Sequence, residues 1–486
     1  MAEPTLKEKT AKGLIWGGFS NGFQQFMNLV FGIFLARLLT PADYGMVGML
    51  TIFSQIALAL QESGFTAALV NQKEIRHRDY NAVFWLSMLI SVSLYLLLFF
   101  CAPLIADFYD TPQLVPLARY SFLSILLSAL GIAQSAFLFK KLMVKQRSIA
   151  IVMAHTISGI VGILMAYHGF SYWGIATQNI VYIGIVTSVY WYYSSWRPTF
   201  KIDLSPIKGM IAFSGKLLLT KIFNRVNDNI LTVILGRFYA ANEVGYYTQA
   251  YKWSSMGGYM ISGMSLSVAQ PVFAEVSNDS VRQKRVFRKM ITFVAFVSFP
   301  VMFGLGFVAK ELISLAITDK WLPSVPLMQM LCISGAFVPL TVLCQQLLIS
   351  RKKADVYMWN IILNGVVILV GCLLVSPYGI NTMLQIYVSV YIGWLFLWIH
   401  FIKKEIGYSI IDFLKDICPF LILTSVSIFL TTFVVRGISD MYASICVKIL
   451  AVACLYVVGV WIFNAALLKE CAGFLLKKIR KGKRKA

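Results

Sequence analysis

The chain is 486 residues long, 58% hydrophobic and only 13% charged, with a mean hydropathy of +0.74. Soluble domains carry about 25% charged residues, so this composition excludes an ordinary cytosolic enzyme, a disordered chain and a small disulfide scaffold. What remains is an all-α polytopic membrane protein. The net charge of +22 sits in short clusters between apolar runs, which reads as topology and not as a nucleic-acid footprint.

A helix needs about 20 apolar residues to cross a bilayer. On that criterion about fourteen spans are predicted, beginning with 14–36, 44–66, 81–103, 114–138, 148–168, 171–194, 209–236 and 244–270. The rest are 290–308, 325–349, 355–375, 380–401, 416–435 and 443–466. The first run is too long and too rich in Asn and Gln for a cleaved signal peptide, and reads as a retained helix. With the N-terminus in the cytoplasm, the basic clusters at 7–12, 73–78, 140–147, 197–208, 282–289, 351–353, 403–415 and 469–485 all face inward. The outer loops then hold Arg37, Arg237, Lys310, Lys320 and Arg436. That asymmetry is the positive-inside rule applied loop by loop; a miscounted helix would invert it. Both termini are therefore expected in the cytoplasm. The cysteines form no CxxC pair and fall in apolar runs, and the four histidines are scattered. No metal site or cofactor is expected.

Arg37, Asp43 and Gly45, between spans one and two, recur as Arg237, Glu243 and Gly245 between spans seven and eight, at a constant offset of 200 residues. Both copies fall on the outer side after six intervening spans, so the repeat is parallel. The acids lie near helix N-termini and the arginines near helix C-termini, as the helix dipole favours. The expected organisation is an N-terminal lobe of six spans (1–200), a second six-span lobe (201–405), and two further spans with a basic cytoplasmic tail (406–486). Two lobes related by an axis along the membrane normal are a transporter arrangement.

Charges inside spans are costly and usually face a cavity or a partner. Arg119, Lys216, Lys221, Arg225, Lys252 and Lys448 fall inside spans, and Lys448 lies close enough to a helix end to snorkel. In span seven, Lys221, Arg225 and Asp228 share one helical face, with Lys216 towards the cytoplasm. Asn21, Gln25 and Asn28 occupy span one at the same offset. One reading is a water-filled cavity, cationic on span seven and suited to a phosphate-bearing substrate. The other is an internal ion pair of Asp228 with Arg225 or Lys221 that neutralises itself.

The segments AKGLIWGGFSNGFQQFMNLVFGIFLARLLTPADYGMVGML, ESGFTAALVNQK and QPVFAEVSND, on this span count, resemble the Wzx-type polysaccharide flippases of the MOP superfamily, most closely the colanic-acid exporter branch. The resemblance covers nearly the whole chain and is most specific from Arg37 to Gly45. It implies a MATE-like fold in a bacterial inner membrane and transport without covalent chemistry. The implied substrate is an undecaprenyl-diphosphate-linked oligosaccharide, moved from the cytoplasmic to the outer leaflet by alternating access. Lys221 and Arg225 would contact the diphosphate; Lys216, Arg119 and Lys252 would line the way in and out. Asn21, Gln25 and Asn28 would bind sugar hydroxyls. A proton or sodium gradient is the coupling the superfamily suggests, with Asp228 and Glu62 as the carboxylates to test. Other polysaccharide assembly proteins are expected partners. A multidrug antiporter of the same fold should instead present acids and aromatics to its cavity. A membrane polymerase or glycosyltransferase should show a large outer loop or a compact acidic site. A non-transporting scaffold would not need charges along one buried helical face.

Overall fold

The computed structural model describes residues 6–62, 69, 75–205, 208–438 and 440–483; side chains are described for these except 6–15, 62, 208–217, 264–265, 267–268 and 464–483. Sixteen α-helices form among the described residues. They are α1 (Leu6–Leu38), α2 (Pro41–Glu62), α3 (His77–Phe108), α4 (Leu114–Ser121), α5 (Leu123–Lys140), α6 (Val144–Tyr167), α7 (Tyr172–Tyr193) and α8 (Lys208–Phe238). Then come α9 (Ala241–Glu275), α10 (Ser280–Phe307), α11 (Ala309–Ile317), α12 (Ser324–Ser350), α13 (Ala354–Val375), α14 (Ile380–Ile406), α15 (Ile410–Val435) and α16 (Met441–Lys483).

Each predicted span has its helix. The fourth is interrupted at Phe122, so α4 and α5 share one pass, and the nine-residue α11 is too short to cross. Ten of the passes are long and apolar enough to span a membrane on length and composition. Within the described residues, α1, α7, α8 and α9 do not meet that measure. For α1 and α8 the cause is the Asn, Gln, Lys and Arg content noted above, the polar load expected of a helix that faces water inside a bundle.

By contacts the chain divides into two compact units, Met1–Thr248 and Gln249–Ala486. In the first, α6 packs on α1 and α7, α5 on α3 and α7, and α2 on α8. Close approach is bought by small residues. A Cβ on Gly159 of α6 would lie 2.2 Å from the Phe31 ring of α1, and one on Gly131 of α5 would lie 2.9 Å from the Thr187 hydroxyl of α7.

The 200-residue repeat is a reciprocal helix crossing within this unit. A Cβ on Gly45 would lie 1.9 Å from the Ala241 carbonyl oxygen, and one on Gly245 would lie 1.8 Å from the Pro41 carbonyl oxygen. The four residues exchange under the same offset of 200, so the two helix starts cross as a local pair of equals. Each glycine admits a backbone carbonyl where any side chain would collide. Thr40 and Asp43 cap α2 reciprocally: the Thr40 amide donates to Asp43 Oδ2 (2.8 Å) and the Asp43 amide to the Thr40 hydroxyl (3.4 Å). Ser171 donates to the other Asp43 oxygen. Arg237 leaves the end of α8 to pair with Asp110 (2.8 Å) and donate to the Phe108 carbonyl (2.7 Å).

In the second unit α10 packs on α12 and α15, α12 on α14, and α15 on α16. In this unit α15 is pinned to α10. Arg288 donates to both oxygens of Asp416 (2.9 Å each), and the buried Tyr408 hydroxyl donates to Asp416 Oδ2 (2.9 Å). Lys284 pairs with Asp412 (3.1 Å) and donates to the Gly407 carbonyl (2.7 Å). Gly407, with φ +68°, ends α14 in the left-handed conformation that glycine adopts without strain. Lys448 pairs with Glu311 of α11 at 2.5 Å and lies over the Phe307 ring. Its charge is met by a carboxylate, a partner 137 positions away in the chain.

Candidate cationic cavity

The first unit encloses a cavity of about 620 Å³, within the range of about 300–1,000 Å³ usual for small-molecule sites. Four helices line it: Gln55, Leu58, Ala59 and Gln61 from α2; Ser128, Gly131, Ile132 and Ser135 from α5; Tyr182, Ile183, Val186, Thr187 and Tyr190 from α7; Lys221, Asn224 and Arg225 from α8. Lys221 and Arg225 lie four residues apart on α8 and so project from the same face. They are the charged residues of the described lining, which contains no carboxylate.

On α8 the contact between Arg225 and Asp228 is a loose one. Arg225 Nη1 stands 3.8 Å from Asp228 Oδ2, and both side chains are about half exposed. A solvated pair at i, i+3 contributes only about 0.2–0.5 kcal/mol. Arg225 therefore remains available to an anion, and its guanidinium can grip a phosphate through two parallel hydrogen bonds.

The opposing chemistry is neutral and partly fixed. Gln61, 1% exposed, donates from Nε2 to the Ile125 carbonyl (3.1 Å) and accepts at Oε1 from the Ser128 hydroxyl (2.7 Å). The Thr187 hydroxyl donates to the Leu127 carbonyl (3.1 Å). The ring of Tyr182 packs at 4.5 Å against His155 of α6, the two planes tilted by 46°. These bonds lock α2, α5 and α7 into one wall.

Of the residues expected in a site, the structure brings Lys221 and Arg225 together. Arg119, half-buried at the end of α4, stacks on Phe99 at 4.4 Å and donates to its carbonyl (3.4 Å). Asn21 and Gln25 are exposed on α1 and Asn28 is half-buried there; none of the three is among the described lining residues. Lys252 belongs to the second unit, half-buried on α9. The side chains of Lys216 and Glu62 lie outside the described residues. Sequence reasoning missed Gln55, Gln61, Ser128, Ser135 and Tyr182. The available signal was the row Ser128, Gly131, Ser135, at helical spacing on one face of α5.

A smaller cavity of about 210 Å³ opens in the second unit between α10, α15 and α16, with Lys415 and Asp416 at an otherwise largely apolar lining. Among the described residues no group of three or more His, Cys, Asp or Glu comes together to hold a metal.

Comparison with known proteins places this architecture. Residues 34–326 match the family described as polysaccharide biosynthesis protein. The chain is similar to the teichuronic acid biosynthesis protein TuaB of Bacillus subtilis, 26% identical over 400 residues covering 79% of each chain. It is also similar to the lipopolysaccharide biosynthesis protein WzxC of Escherichia coli, 24% identical over 358 residues covering 72% of each. Its fold is that of the lipid II flippase MurJ in an inward closed conformation, with a TM-score of 0.72 at 14% identity over 94% of this chain and 100% of that one. The family match spans more than half of the sequence and includes α2, α5, α7 and α8, the helices that build the cavity. The chain is a multi-pass membrane protein of the polysaccharide biosynthesis protein family.

Proposed function

We propose that this chain is a flippase that carries an undecaprenyl-diphosphate-linked oligosaccharide from the cytoplasmic to the outer leaflet of a bacterial inner membrane. The observation that carries the proposal is the cavity lined by both Lys221 and Arg225, four residues apart on one face of α8. Two cations facing one cavity suit a diphosphate and repel a cationic drug. That disfavours the multidrug reading. Relatives named for teichuronic acid and lipopolysaccharide biosynthesis, and the fold shared with a lipid II flippase, support the same substrate class.

In this account the diphosphate binds Lys221 and Arg225 while the lipid tail stays in the bilayer. No bond is made or broken. Two lobes, 1–200 and 201–405, alternate between inward and outward access, and both termini stay in the cytoplasm beside the basic loops. Lys216, Arg119 and Lys252 serve the path in and out, and Asp228 and Glu62 are the carboxylates through which a proton or sodium gradient would act. The test is reconstitution of the full chain in liposomes with a fluorescent polyprenyl-diphosphate oligosaccharide, reading its exposure at the outer leaflet. Exposure well above that in protein-free vesicles is expected. No exposure, with transport of small organic cations instead, would move the protein to the antiporter class.

A further inference from the structure

We propose that Gln55, Ser135 and Tyr182 form a glycan-reading wall in the same cavity and set which head group is accepted. The inference rests on the flippase reading and adds a division of labour to it: α8 holds the diphosphate, and α2, α5 and α7 read the sugars.

The argument comes from which polar groups are already satisfied. Gln61 uses both ends of its amide inside the protein, and the hydroxyls of Ser128 and Thr187 are spent on Gln61 and on main-chain carbonyls. Those residues are scaffold. The amide of Gln55 and the hydroxyls of Ser135 and Tyr182 line the cavity with no hydrogen-bond partner among the described residues. In a membrane-embedded helix such groups are costly unless water or a ligand meets them. Three unspent groups in one cavity therefore mark where a polar ligand sits.

The character of the wall selects the ligand. The described lining from α2, α5 and α7 carries no charged side chain, so it offers hydrogen bonds but no counter-charge to a second phosphate, a carboxylate or an amine. It offers an amide that both donates and accepts, two hydroxyls that do the same, and a Tyr182 ring held by His155. A neutral ring bearing many hydroxyls and one apolar face matches that set; this is a sugar. The α1 amides Asn21, Gln25 and Asn28 are not part of the described wall.

The test measures affinities of the full chain in lipid nanodiscs for two probes: a polyprenyl diphosphate bearing a neutral disaccharide, and the same lipid diphosphate without sugar. The readout is their ratio, which a general loss of folding does not move. A Gln55→Leu, Ser135→Ala double variant is expected to lower the wild-type preference for the glycosylated lipid about tenfold, the loss of two hydrogen bonds of typical strength. Tyr182→Phe, which removes one hydroxyl, is expected to lower it about threefold. Lys221→Gln with Arg225→Gln should weaken both probes and keep the ratio. A double variant with the wild-type ratio, whether both affinities stand or both fall alike, overturns the wall. A wild type that binds neither lipid removes the flippase reading itself.

Discussion

The reciprocal crossing of α2 and α9 makes the most quantitative prediction. Alanine at Gly45 would put its Cβ 1.9 Å from the Ala241 carbonyl oxygen, where ordinary contact begins at 3.4 Å, so the helices must part by about 1.5 Å. Alanine at Gly245 makes the same demand against Pro41, from 1.8 Å. Both obstacles are backbone atoms that cannot swing aside. Overpacking of this kind costs about 1–3 kcal/mol, and at about 2–4 °C per kcal/mol for a large domain each variant should melt several degrees below wild type. The double variant should fall by less than the sum of the two, because the first substitution has already separated the pair that the second strains. Gly393→Ala is the control: nothing lies within 4 Å of its added Cβ, and alanine is the better helix former. Thermal unfolding in detergent, followed by intrinsic fluorescence, reads the wild type and the four variants. Singles that melt with the wild type, or a double equal to the sum, would refute the crossing.

Further outcomes separate the buried ion pairs from the exposed ones. Arg288→Ala leaves Asp416, whose side chain is 7% exposed, with Tyr408 as its remaining hydrogen-bond partner among the described residues; because the arginine itself is half exposed, the loss should be about 1.5–3 kcal/mol, that of charge-assisted hydrogen bonds to a buried carboxylate. The Lys353–Glu405 pair, at 3.5 Å with the lysine half exposed and the glutamate more accessible than Asp416, should cost under about 1 kcal/mol when broken. Chemical denaturation of the two variants side by side checks the contrast, and equal losses would contradict it. Lys448→Met leaves the carboxylate of Glu311, 11% exposed, without its cation, so Lys448→Met with Glu311→Gln should recover a large part of the lost stability in a double-mutant cycle. Gly159→Leu cannot fit against Phe31, whose ring would lie 2.2 Å from the new Cβ. It should detach α1 from α6, detectable as faster proteolysis near the N-terminus.

Much of the fold was legible because a bilayer imposes length and polarity on each pass. Fourteen predicted spans correspond to fourteen helical passes among the described residues, and the offset of 200 residues between Gly45 and Gly245 turned out to be a physical crossing. The break at Phe122 and the short α11 were not legible, since apolar sequence continues through the first and runs up to the second. The charged half of the cavity could be read because a lysine and an arginine inside a span need a reason. Its neutral half could not, because a buried glutamine or serine is more often a bond between helices than a ligand contact. Gln61 and Gln55 share a helix, yet only the packing of α5 against α2 and α7 makes the first a strut and leaves the second exposed to the cavity. Partners such as Arg288 with Asp416, 128 positions apart, were likewise invisible without tertiary structure.

The central claim is that α8 grips a diphosphate. It is tested most directly by leaflet exposure of a fluorescent polyprenyl-diphosphate oligosaccharide in proteoliposomes containing wild type, Arg225→Ala with Lys221→Ala, or Arg225→Lys. The account predicts rapid exposure with wild type and loss of most of it in the double alanine variant. Arg225→Lys, which keeps the charge but not the paired hydrogen bonds, should give an intermediate rate. A double alanine variant that folds normally and flips the lipid at the wild-type rate would contradict the claim.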